Sequence, residues 1–219
     1  MPKVVDTSEV QELLRRGAQL IEVLPSSAWQ REHVPGARNV PLPQLRADTV
    51  ADLDHGAPTV VYCYDHECDL SARGAAVLEQ LGFTEVYDYA GSKTAWLGEG
   101  LPADGDVAAS DRAGARATWP PTCPPHATID DIVSDLRGDL PVVVLGDGDV
   151  VLGAVHPAGV GLPPSTPVLR AADPGTATVR PSITRSELAR SMDDGGQRHV
   201  IVTTSHGRLI GVVRRSDLD

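Results

Sequence analysis

Aromatic residues are scarce in this chain, which has only one Phe, three Trp and four Tyr among its 219 residues. So few rings cannot build the stacking platform that proteins use to bind unpaired bases. Clustered positive charge is also scarce, because the formal net charge is −11 and basic residues occur at most in pairs such as Arg214-Arg215. These absences exclude nucleic acid and acidic membranes as expected partners.

Long apolar segments are missing as well. No stretch is long enough to cross a bilayer, and no apolar leader follows Met1. The three cysteines are an odd number, which does not suit a framework of disulfides. These features predict a cytoplasmic protein in a reducing compartment. Arginine outnumbers lysine, which occurs only at Lys3 and Lys93, and this bias indicates a GC-rich bacterial genome.

The length of 219 residues suits two ordinary domains, each large enough to bury a core. Residues 104–118 consist of Asp, Gly, Ala, Ser and Arg with hardly any large apolar side chain, so they cannot bury enough surface to pack. This segment is predicted to be a linker. It separates a first domain, residues 1–103, from a second domain, residues 119–219.

In the first domain, short apolar runs alternate with helical patterns. Asp6-Thr-Ser-Glu9 is a capping box that opens a helix, and Gly17 lies where that helix would end. The alternation predicts an α/β fold with a parallel sheet flanked by helices. Further strands are expected at Leu20–Val23, Thr59–Cys63 and Val86–Tyr89, and further helices at Ser71–Gln80 and Ser92–Leu97.

Cys63 ends one of these buried strands, and a helix follows after a short loop. Active sites of parallel sheets lie at the carboxyl ends of strands. Amides of the loop and of the helix start, with Asp69 or Ser71 as the helix cap, would favour a thiolate. The pattern predicts a nucleophilic cysteine, and a cysteine that only packs in the core is the alternative.

The first hundred residues resemble a rhodanese-like domain. Glu32–Pro41 is similar to the family signature GHIPGAxNIP, and Val60–Cys63 is similar to the strand that ends in the sulfur-carrying cysteine. The segment from Gly82 to Pro102 follows the ending GFxxVxxLxGGxxAWxxxGxP. The resemblance implies that Cys63 is the catalytic residue and carries sulfane sulfur as a persulfide, with no cofactor required. It implies an active-site loop of Tyr64, Asp65, His66, Glu67, Cys68, Asp69, Leu70 and Ser71.

This loop departs from the family pattern in length and in charge. Seven residues separate Cys63 from Ser71, more than in the usual loop, which predicts a larger ring and a different substrate preference. The carboxylates of Asp65, Glu67 and Asp69 oppose a thiolate and repel anionic donors. We therefore expect weak turnover of thiosulfate.

Two positions outside the loop have structural interpretations. Glu22 and Leu24 stand where the family often has Asp and Arg, so the family's salt-bridge residue at this strand end is missing. His33 belongs to a structural signature remote from the loop, and it is expected to stabilise a turn rather than to act as a base.

Cys68 allows three interpretations. It could be a resolving thiol that attacks the Cys63 persulfide or closes a disulfide, a spectator, or the true nucleophile, because sequence shows neither thiolate character nor proximity. A metal site at Cys63, His66 and Cys68 is disfavoured, since no second Cys/His knuckle supplies further ligands. A phosphatase is disfavoured too, because no arginine follows Cys63 at the spacing that clamps phosphate.

The second domain contains an internal repeat. In each copy a helical pattern precedes a strand, a glycine-containing turn and a second strand. The copies are predicted to span about residues 119–160 and 166–219. The helical patterns are Ile129–Leu136 and Ile183–Met192, and the hairpins are Leu140–Val155 and Arg198–Val213.

This repeated unit resembles a degenerate tandem CBS domain pair, the Bateman module. Leu209–Leu218 is similar to the family ending GxxTxxDL, which implies that Asp217 holds ribose hydroxyls. Arg214 replaces the Thr or Ser that contacts phosphate, a role that arginine can fill. AMP, ATP or S-adenosylmethionine are the implied ligands. Because the first repeat has lost both the hydroxyl and the acid, a scaffold for packing or for homodimer formation is the alternative.

The predicted function is that of a sulfurtransferase. Cys63 would take sulfane sulfur from a small-molecule or protein donor and pass it to a thiol acceptor, with the CBS-like domain modulating the activity or assembling a homodimer. The alternative is a non-catalytic sensor or protein-interaction module that binds an adenosyl ligand. A redox switch between Cys63 and Cys68 is a third hypothesis.

Overall fold

The chain is described by a computed structural model that covers residues 2–157 and 161–219. It divides into two compact units: Met1–Leu97 with Leu101–Ala109, and Gly98–Gly100 with Ser110–Asp219. The division falls inside the predicted linker, residues 104–118. Residues 158–160, which end the first predicted repeat, lie outside the described residues.

Within the described residues, the first unit is built on a five-stranded parallel sheet in the order β1-β5-β4-β2-β3. Helices pack against it, and this confirms the predicted α/β fold. The elements are β1 (Lys3–Val5), α1 (Thr7–Arg15), β2 (Gln19–Glu22), α2 (Ser26–Arg31), β3 (Arg38–Asn39), β4 (Thr59–Tyr62), α3 (Leu70–Gln80), β5 (Val86–Tyr89) and α4 (Ser92–Gly98).

The start and the end of α1 follow from its sequence. Asp6 Oδ1 accepts a hydrogen bond from Glu9 N at 2.9 Å, and Glu9 Oε2 accepts one from Asp6 N at 3.1 Å. This reciprocal pair confirms the predicted capping box. Gly17 has a φ of +86°, the left-handed conformation in which a helix commonly ends.

Apolar side chains cover both faces of the sheet, as expected for parallel strands between helices. All four residues of β4 are buried, and Val60, Val61 and Tyr62 project alternately into two clusters. Cys63, just beyond β4, belongs to the cluster that contains Ile21, Val23 and Leu78. Tyr62 belongs to the opposite cluster with Trp96.

The segment predicted as a linker is held by backbone hydrogen bonds, which need no large side chains. Asp104 pairs with His33 through two backbone bonds of 2.8 and 2.9 Å, within the first unit. A Cβ on Gly105 would lie 2.7 Å from the backbone oxygen of Arg31, so only glycine fits there. In the second unit, Thr118 N donates to Val212 O at 3.0 Å.

Within the described residues, the second unit contains two three-stranded sheets, in the orders β6-β7-β8 and β11-β10-β9. Each sheet joins a short parallel strand to an antiparallel hairpin, which confirms both predicted hairpins. A core cluster of Val143, Ala154, Ile201, Leu209 and Val212 joins the two copies. The elements are α5 (Ala113–Arg116), β6 (Thr122–Cys123), α6 (Ile129–Ile132), β7 (Val142–Leu145), β8 (Val151–Val155), α7 (Val168–Ala171), β9 (Thr178–Val179), α8 (Arg185–Asp194), β10 (His199–Thr203) and β11 (Leu209–Arg214).

The first helical pattern of the repeat is shorter than predicted. Helix α6 ends at Ile132, and a 3₁₀ turn at Asp135–Arg137 replaces the rest of the expected helix. Val133, Ser134 and Asp135 have low helix propensity, which explains the early end.

Candidate active site

Cys63 lies directly after β4, at the carboxyl end of a strand that is paired on both sides. Its side chain is fully buried. The backbone around it is fixed by the start of α4: Lys93 N donates to Cys63 O at 3.4 Å, and Thr94 N donates to Tyr64 O at 2.9 Å. The position of the sulfur is therefore set by the sheet and by the following helix.

Two buried hydroxyl groups face the Cys63 sulfur. Ser71 Oγ, in the first turn of α3, and Ser92 Oγ, at the start of α4, each lie 3.5 Å from Cys63 Sγ. Ser92 Oγ also accepts a hydrogen bond from Cys63 N at 3.0 Å. A hydroxyl can accept from a thiol or donate to a thiolate, so these groups suit both protonation states of the sulfur.

The loop amides are arranged differently from the prediction. Asp65 Oδ1 accepts hydrogen bonds from Glu67 N at 3.0 Å and from Cys68 N at 3.1 Å. The Asp65 carboxylate thus forms a local turn and occupies two amides that were expected to face the sulfur. The carbonyl oxygens of Asp65 and Cys68 lie 3.9 and 3.3 Å from Cys63 Sγ, where either can accept the single thiol proton.

Asp69, one of the two predicted positions, is the N-cap residue of α3, but it does not cap the helix through its side chain. Asp69 precedes the helix, but its backbone is already helical (φ −84°, ψ −3°) and its side chain makes no capping hydrogen bond. Ser71 lies inside the helix and faces the sulfur instead. In the rest of the loop, Tyr64, His66 and Glu67 are exposed and Leu70 is half-buried.

Opposing effects act on the ionisation of Cys63. Burial raises the pKa of the thiol, whereas hydrogen bonds from Cys68, Ser71 and Ser92 and from the Ser71 amide lower it. The lowering effects are larger together, so the pKa of Cys63 lies below the ordinary value of a thiol. Because the thiolate is the nucleophilic form, this environment favours reactivity at Cys63.

Cys68 shows the opposite shift. Burial and the hydrogen bond to Cys63 raise the pKa of its half-buried thiol. Of the two loop cysteines, the structure thus favours Cys63 as the nucleophile and places the Cys68 thiol in contact with it. Both are free thiols, so a spectator and a resolving partner both fit this geometry.

Glu22, at the end of β2, has a cationic partner although the arginine of the family pattern is absent. Glu22 Oε1 lies 2.8 Å from Lys93 Nζ, and the side chains are only 0% and 2% exposed. Lys93 Nζ also donates to the carbonyl oxygens of Ala28 and Glu32, at 3.2 and 2.6 Å. The cation comes from α4, far along the chain, so it could not be found by inspecting the neighbours of Glu22.

Ser92 is a residue beside the Cys63 sulfur that sequence reasoning missed. Gly91-Ser92 aligns with the Gly-Gly pair of the motif used above, so the replacement of the second glycine was the available signal. His33, by contrast, lies where it was expected: its Nδ1 is 2.8 Å from Trp29 O, and its ring stacks on the Trp29 ring.

The second unit contains a cleft of about 890 Å³ between its two repeats. Arg214 lines this cleft, and Asp217 lies beside it, 3.6 Å from Arg214 in an ion pair. Burial and the nearby Arg214 and His156 lower the pKa of His199, as expected where positive charge is concentrated. The charged and imidazole side chains of the lining are Asp139, His156, Asp173, Arg198, His199, Arg214 and Arg215.

Among residues 2–157 and 161–219, no group of three His, Cys, Asp or Glu side chains is arranged to hold a metal ion. Cys123 is remote from the loop in sequence. Burial, together with Asp131 and Asp135, raises the pKa of its thiol to about 11. Cys123 is therefore a packing residue in this structure.

Comparison with known proteins agrees with this architecture. A model of the rhodanese-like domain matches residues 6–99, and a model of the CBS domain matches residues 164–218. The thiosulfate sulfurtransferase GlpE of Pseudomonas aeruginosa is 33% identical over 88 residues, which are 40% of this chain and 77% of that protein. The chain belongs to the rhodanese-like family.

Two further proteins are similar to comparable shares of the chain. The Bacillus subtilis protein YqhL is 34% identical over 84 residues, 38% of this chain and 64% of that protein. A structure of a rhodanese with anions from E. coli has a TM-score of 0.35 and 26% identity, and it covers 41% of this chain and 99% of that one.

The rhodanese-like unit is of the sulfurtransferase type at the level of its family. The CBS match falls on the second repeat, and CBS domains commonly bind adenosyl ligands. None of the helices in the described residues combines the length and the hydropathy that a membrane span requires.

Proposed function

We propose that this protein is a sulfurtransferase in which Cys63 carries sulfane sulfur as a persulfide. The observation that supports it most is the buried Cys63 sulfur between the hydroxyls of Ser71 and Ser92, with a lowered pKa despite its burial. Hydrogen bonds to a charged group are stronger than neutral ones, so they can outweigh the cost of burying a thiolate.

The transfer takes two exchange steps. The Cys63 thiolate attacks the outer sulfur of a donor persulfide, the donor S–S bond breaks, and the donor leaves as a thiolate that takes up a proton. An acceptor thiolate then attacks the outer sulfur on Cys63, and Cys63 leaves as the thiolate. No external oxidant or reductant is needed, because sulfane sulfur keeps its oxidation state.

A low-molecular-weight persulfide suits this site better than thiosulfate does. The amides of Glu67 and Cys68 already donate hydrogen bonds to the Asp65 carboxylate, so these N–H groups are not free to bind the sulfonate group of thiosulfate. The side chains of Glu67 and Asp69 add negative charge to the exposed side of the loop. Because like charges repel, an anionic donor is disfavoured. Since Cys63 is fully buried, the loop has to move before any donor reaches it.

The test is the intact mass of the protein after incubation with a low-molecular-weight persulfide and, separately, with thiosulfate. We expect a gain of one sulfur in the wild type and in Cys68→Ser, the matched control in the same loop, and no gain in Cys63→Ser. The persulfide should load faster than thiosulfate. A gain that persists in Cys63→Ser, or no gain from either donor, would overturn the proposal.

We also propose that the cleft of the second unit binds an adenosyl ligand such as AMP, ATP or S-adenosylmethionine. The arginines in its lining, Arg198, Arg214 and Arg215, support this, because arginine pairs well with phosphate. A phosphate on Arg214 would compete with the Asp217 carboxylate and release it for ribose hydroxyls.

Thermal unfolding with each ligand tests this second proposal, because a ligand of the native state raises the melting temperature. A rise with at least one of the three compounds is expected. If none of them shifts the transition, the cleft is a packing or dimerisation scaffold instead.

A further inference from the structure

Ser92 has a backbone conformation that is unfavourable for serine. Its φ is +52°, in the left-handed region that glycine adopts readily and that other L-residues avoid. The residue is fully buried at the start of α4. A glycine would satisfy this backbone without strain, so what the serine adds at this position is its hydroxyl group.

The adjacent Gly91 has a different requirement. A Cβ on Gly91 would lie 2.8 Å from the Ala95 Cβ and 3.3 Å from the Tyr89 ring, so the space is closed to a side chain. Gly91 therefore serves packing, whereas Ser92 carries a polar group into the interior. Strained backbone that delivers a polar side chain to a reactive atom is typical of functional sites.

The Ser92 hydroxyl has one proton and two acceptors for it. It donates to Tyr89 O at 2.8 Å, and Cys63 Sγ lies 3.5 Å from the same oxygen. Its lone pair accepts from Cys63 N at 3.0 Å, which fixes the oxygen while the O–H bond remains free to rotate. A neutral thiol is a weak acceptor, whereas a thiolate attracts the proton strongly.

We propose that Ser92 stabilises the Cys63 thiolate by turning its hydroxyl proton from the Tyr89 carbonyl oxygen to the Cys63 sulfur when the thiol ionises. The second hydroxyl, on Ser71, approaches the sulfur from α3. The sulfur thus has one hydroxyl partner from each of the helices that follow β4 and β5. In this proposal Ser92 stabilises the negative charge of the sulfur by a hydrogen bond from its neutral hydroxyl group.

This inference rests on the proposed function for its role in transfer, but it is measurable without any transfer. The readout is the ultraviolet absorbance of the thiolate against pH, taken as the difference between each protein and the same protein carrying Cys63→Ser. This difference does not require that a reagent reach the buried sulfur.

Ser92→Gly and Ser92→Ala form the matched pair. Both lack the hydroxyl, so both should move the Cys63 titration midpoint upward by about one pH unit or more, a tenfold loss of thiolate below the midpoint. They should differ in stability, because glycine accepts the left-handed backbone and alanine does not: Ser92→Gly should melt at the higher temperature. Thr59→Val, which removes a buried hydroxyl at the far end of β4, should leave the midpoint unchanged.

A Ser92→Gly protein that folds and keeps the wild-type midpoint would overturn the inference, and this variant decides it even if Ser92→Ala does not fold. An equal upward shift in Thr59→Val would overturn it as well, since the effect would then follow from lost packing. If the midpoint rises as expected while the wild type gains no sulfur from any donor, the sulfurtransferase proposal fails and the role of Ser92 in thiolate stabilisation stands.

Discussion

In the first unit, the candidate reactive sulfur is contacted by two hydroxyls, a thiol and backbone groups, whereas in the second unit arginine and histidine side chains line the cleft. The first unit also has a fully buried ion pair, Glu22 with Lys93, in which the ammonium donates both to the carboxylate and to two backbone carbonyl groups. The buried charges of the first unit stabilise the fold, whereas the cleft of the second unit presents charged side chains, among them Arg214 in an ion pair with Asp217.

This difference matches the chemistry proposed for each site. A sulfur that gains and loses negative charge during exchange benefits from fixed neutral donors, which act without binding an anion permanently. A ligand that carries phosphate brings lasting charge and is bound best by cations. The comparison can be tested by neutralising one cation in each unit. Neutralising Lys93 in the first unit should lower stability, whereas neutralising Arg214 in the second unit should weaken ligand binding.

The largest effect is expected from breaking the buried ion pair. Lys93→Met should lower the free energy of unfolding of the first unit by about 3–5 kcal/mol, because it leaves the Glu22 carboxylate buried without its cation. Denaturant unfolding measures this loss. The double variant Glu22→Leu/Lys93→Met should recover most of it. Lys3→Met removes the exposed ion pair with Glu9 and is the matched control, for which no comparable loss is expected. If Lys93→Met lowered the free energy of unfolding no more than Lys3→Met does, the buried ion pair would not stabilise the first unit as the comparison requires.

The three cysteines should ionise in a fixed order as pH rises. Cys63, whose pKa is lowered, should form thiolate first; Cys68, whose pKa is raised, should follow at higher pH; and Cys123 should titrate near pH 11. At neutral pH the thiolate fraction of Cys63 should exceed that of Cys123 by at least ~100-fold. Thiolate absorbance of the wild type and of the three single Cys→Ser variants gives the order. If Cys68 ionised before Cys63, the nucleophile would have to be reassigned.

A moderate effect is expected in the cleft. Arg214→Gln should weaken the binding of ATP about tenfold, since it removes a charged partner of phosphate, and it should leave sulfur loading at Cys63 unchanged. Isothermal titration calorimetry measures the affinity. Arg170→Gln, an exposed arginine of α7 outside the cleft, is the control. If the wild type and Arg214→Gln bind ATP with equal affinity, Arg214 does not contribute to ligand binding.

The smallest effect is expected in the acidic loop. Asp65→Asn keeps an oxygen that can accept from the amides of Glu67 and Cys68 but removes a negative charge from the loop that follows Cys63. Thiosulfate should then load onto Cys63 about fivefold faster, which corresponds to ~1 kcal/mol for two charges about 4 Å apart in water. Loading rates come from the intact mass as a function of time. Asp48→Asn, remote from the loop in sequence, should change nothing. A rate unchanged in Asp65→Asn would show that charge at this position does not limit thiosulfate loading.

Much of this fold could be predicted because the decisive signals are local. The capping box of α1, the buried run of β4 and the two hairpins are each written within a few neighbouring residues, and all are confirmed. The family motifs added the order of these elements and pointed to Cys63, whose catalytic role stays a prediction together with the roles of Arg214 and Asp217.

The missed features depend on contacts between distant parts of the chain. Lys93 reaches Glu22 across 71 positions, and Ser92 reaches Cys63 across 29. No periodicity records such pairs, and the only local signal was the serine at position 92 in place of the second glycine of the family motif. The amides of Glu67 and Cys68 were misassigned for another reason: the nearby Asp65 carboxylate competes for them. Competition of a side chain for backbone amides can be recognised only once the conformation of the loop is known.

The most direct test of Cys63 as a sulfur carrier follows one labelled sulfur atom through both exchange steps. The protein is loaded with a persulfide whose outer sulfur is isotopically labelled, the donor is removed, and an acceptor thiol is added in a single turnover. The account predicts that mass spectrometry finds the label first on Cys63 and then in the persulfide of the acceptor, with neither signal in Cys63→Ser. Label that reaches the acceptor at the same rate with Cys63→Ser, or that stays on Cys63 in the presence of acceptor, would contradict it.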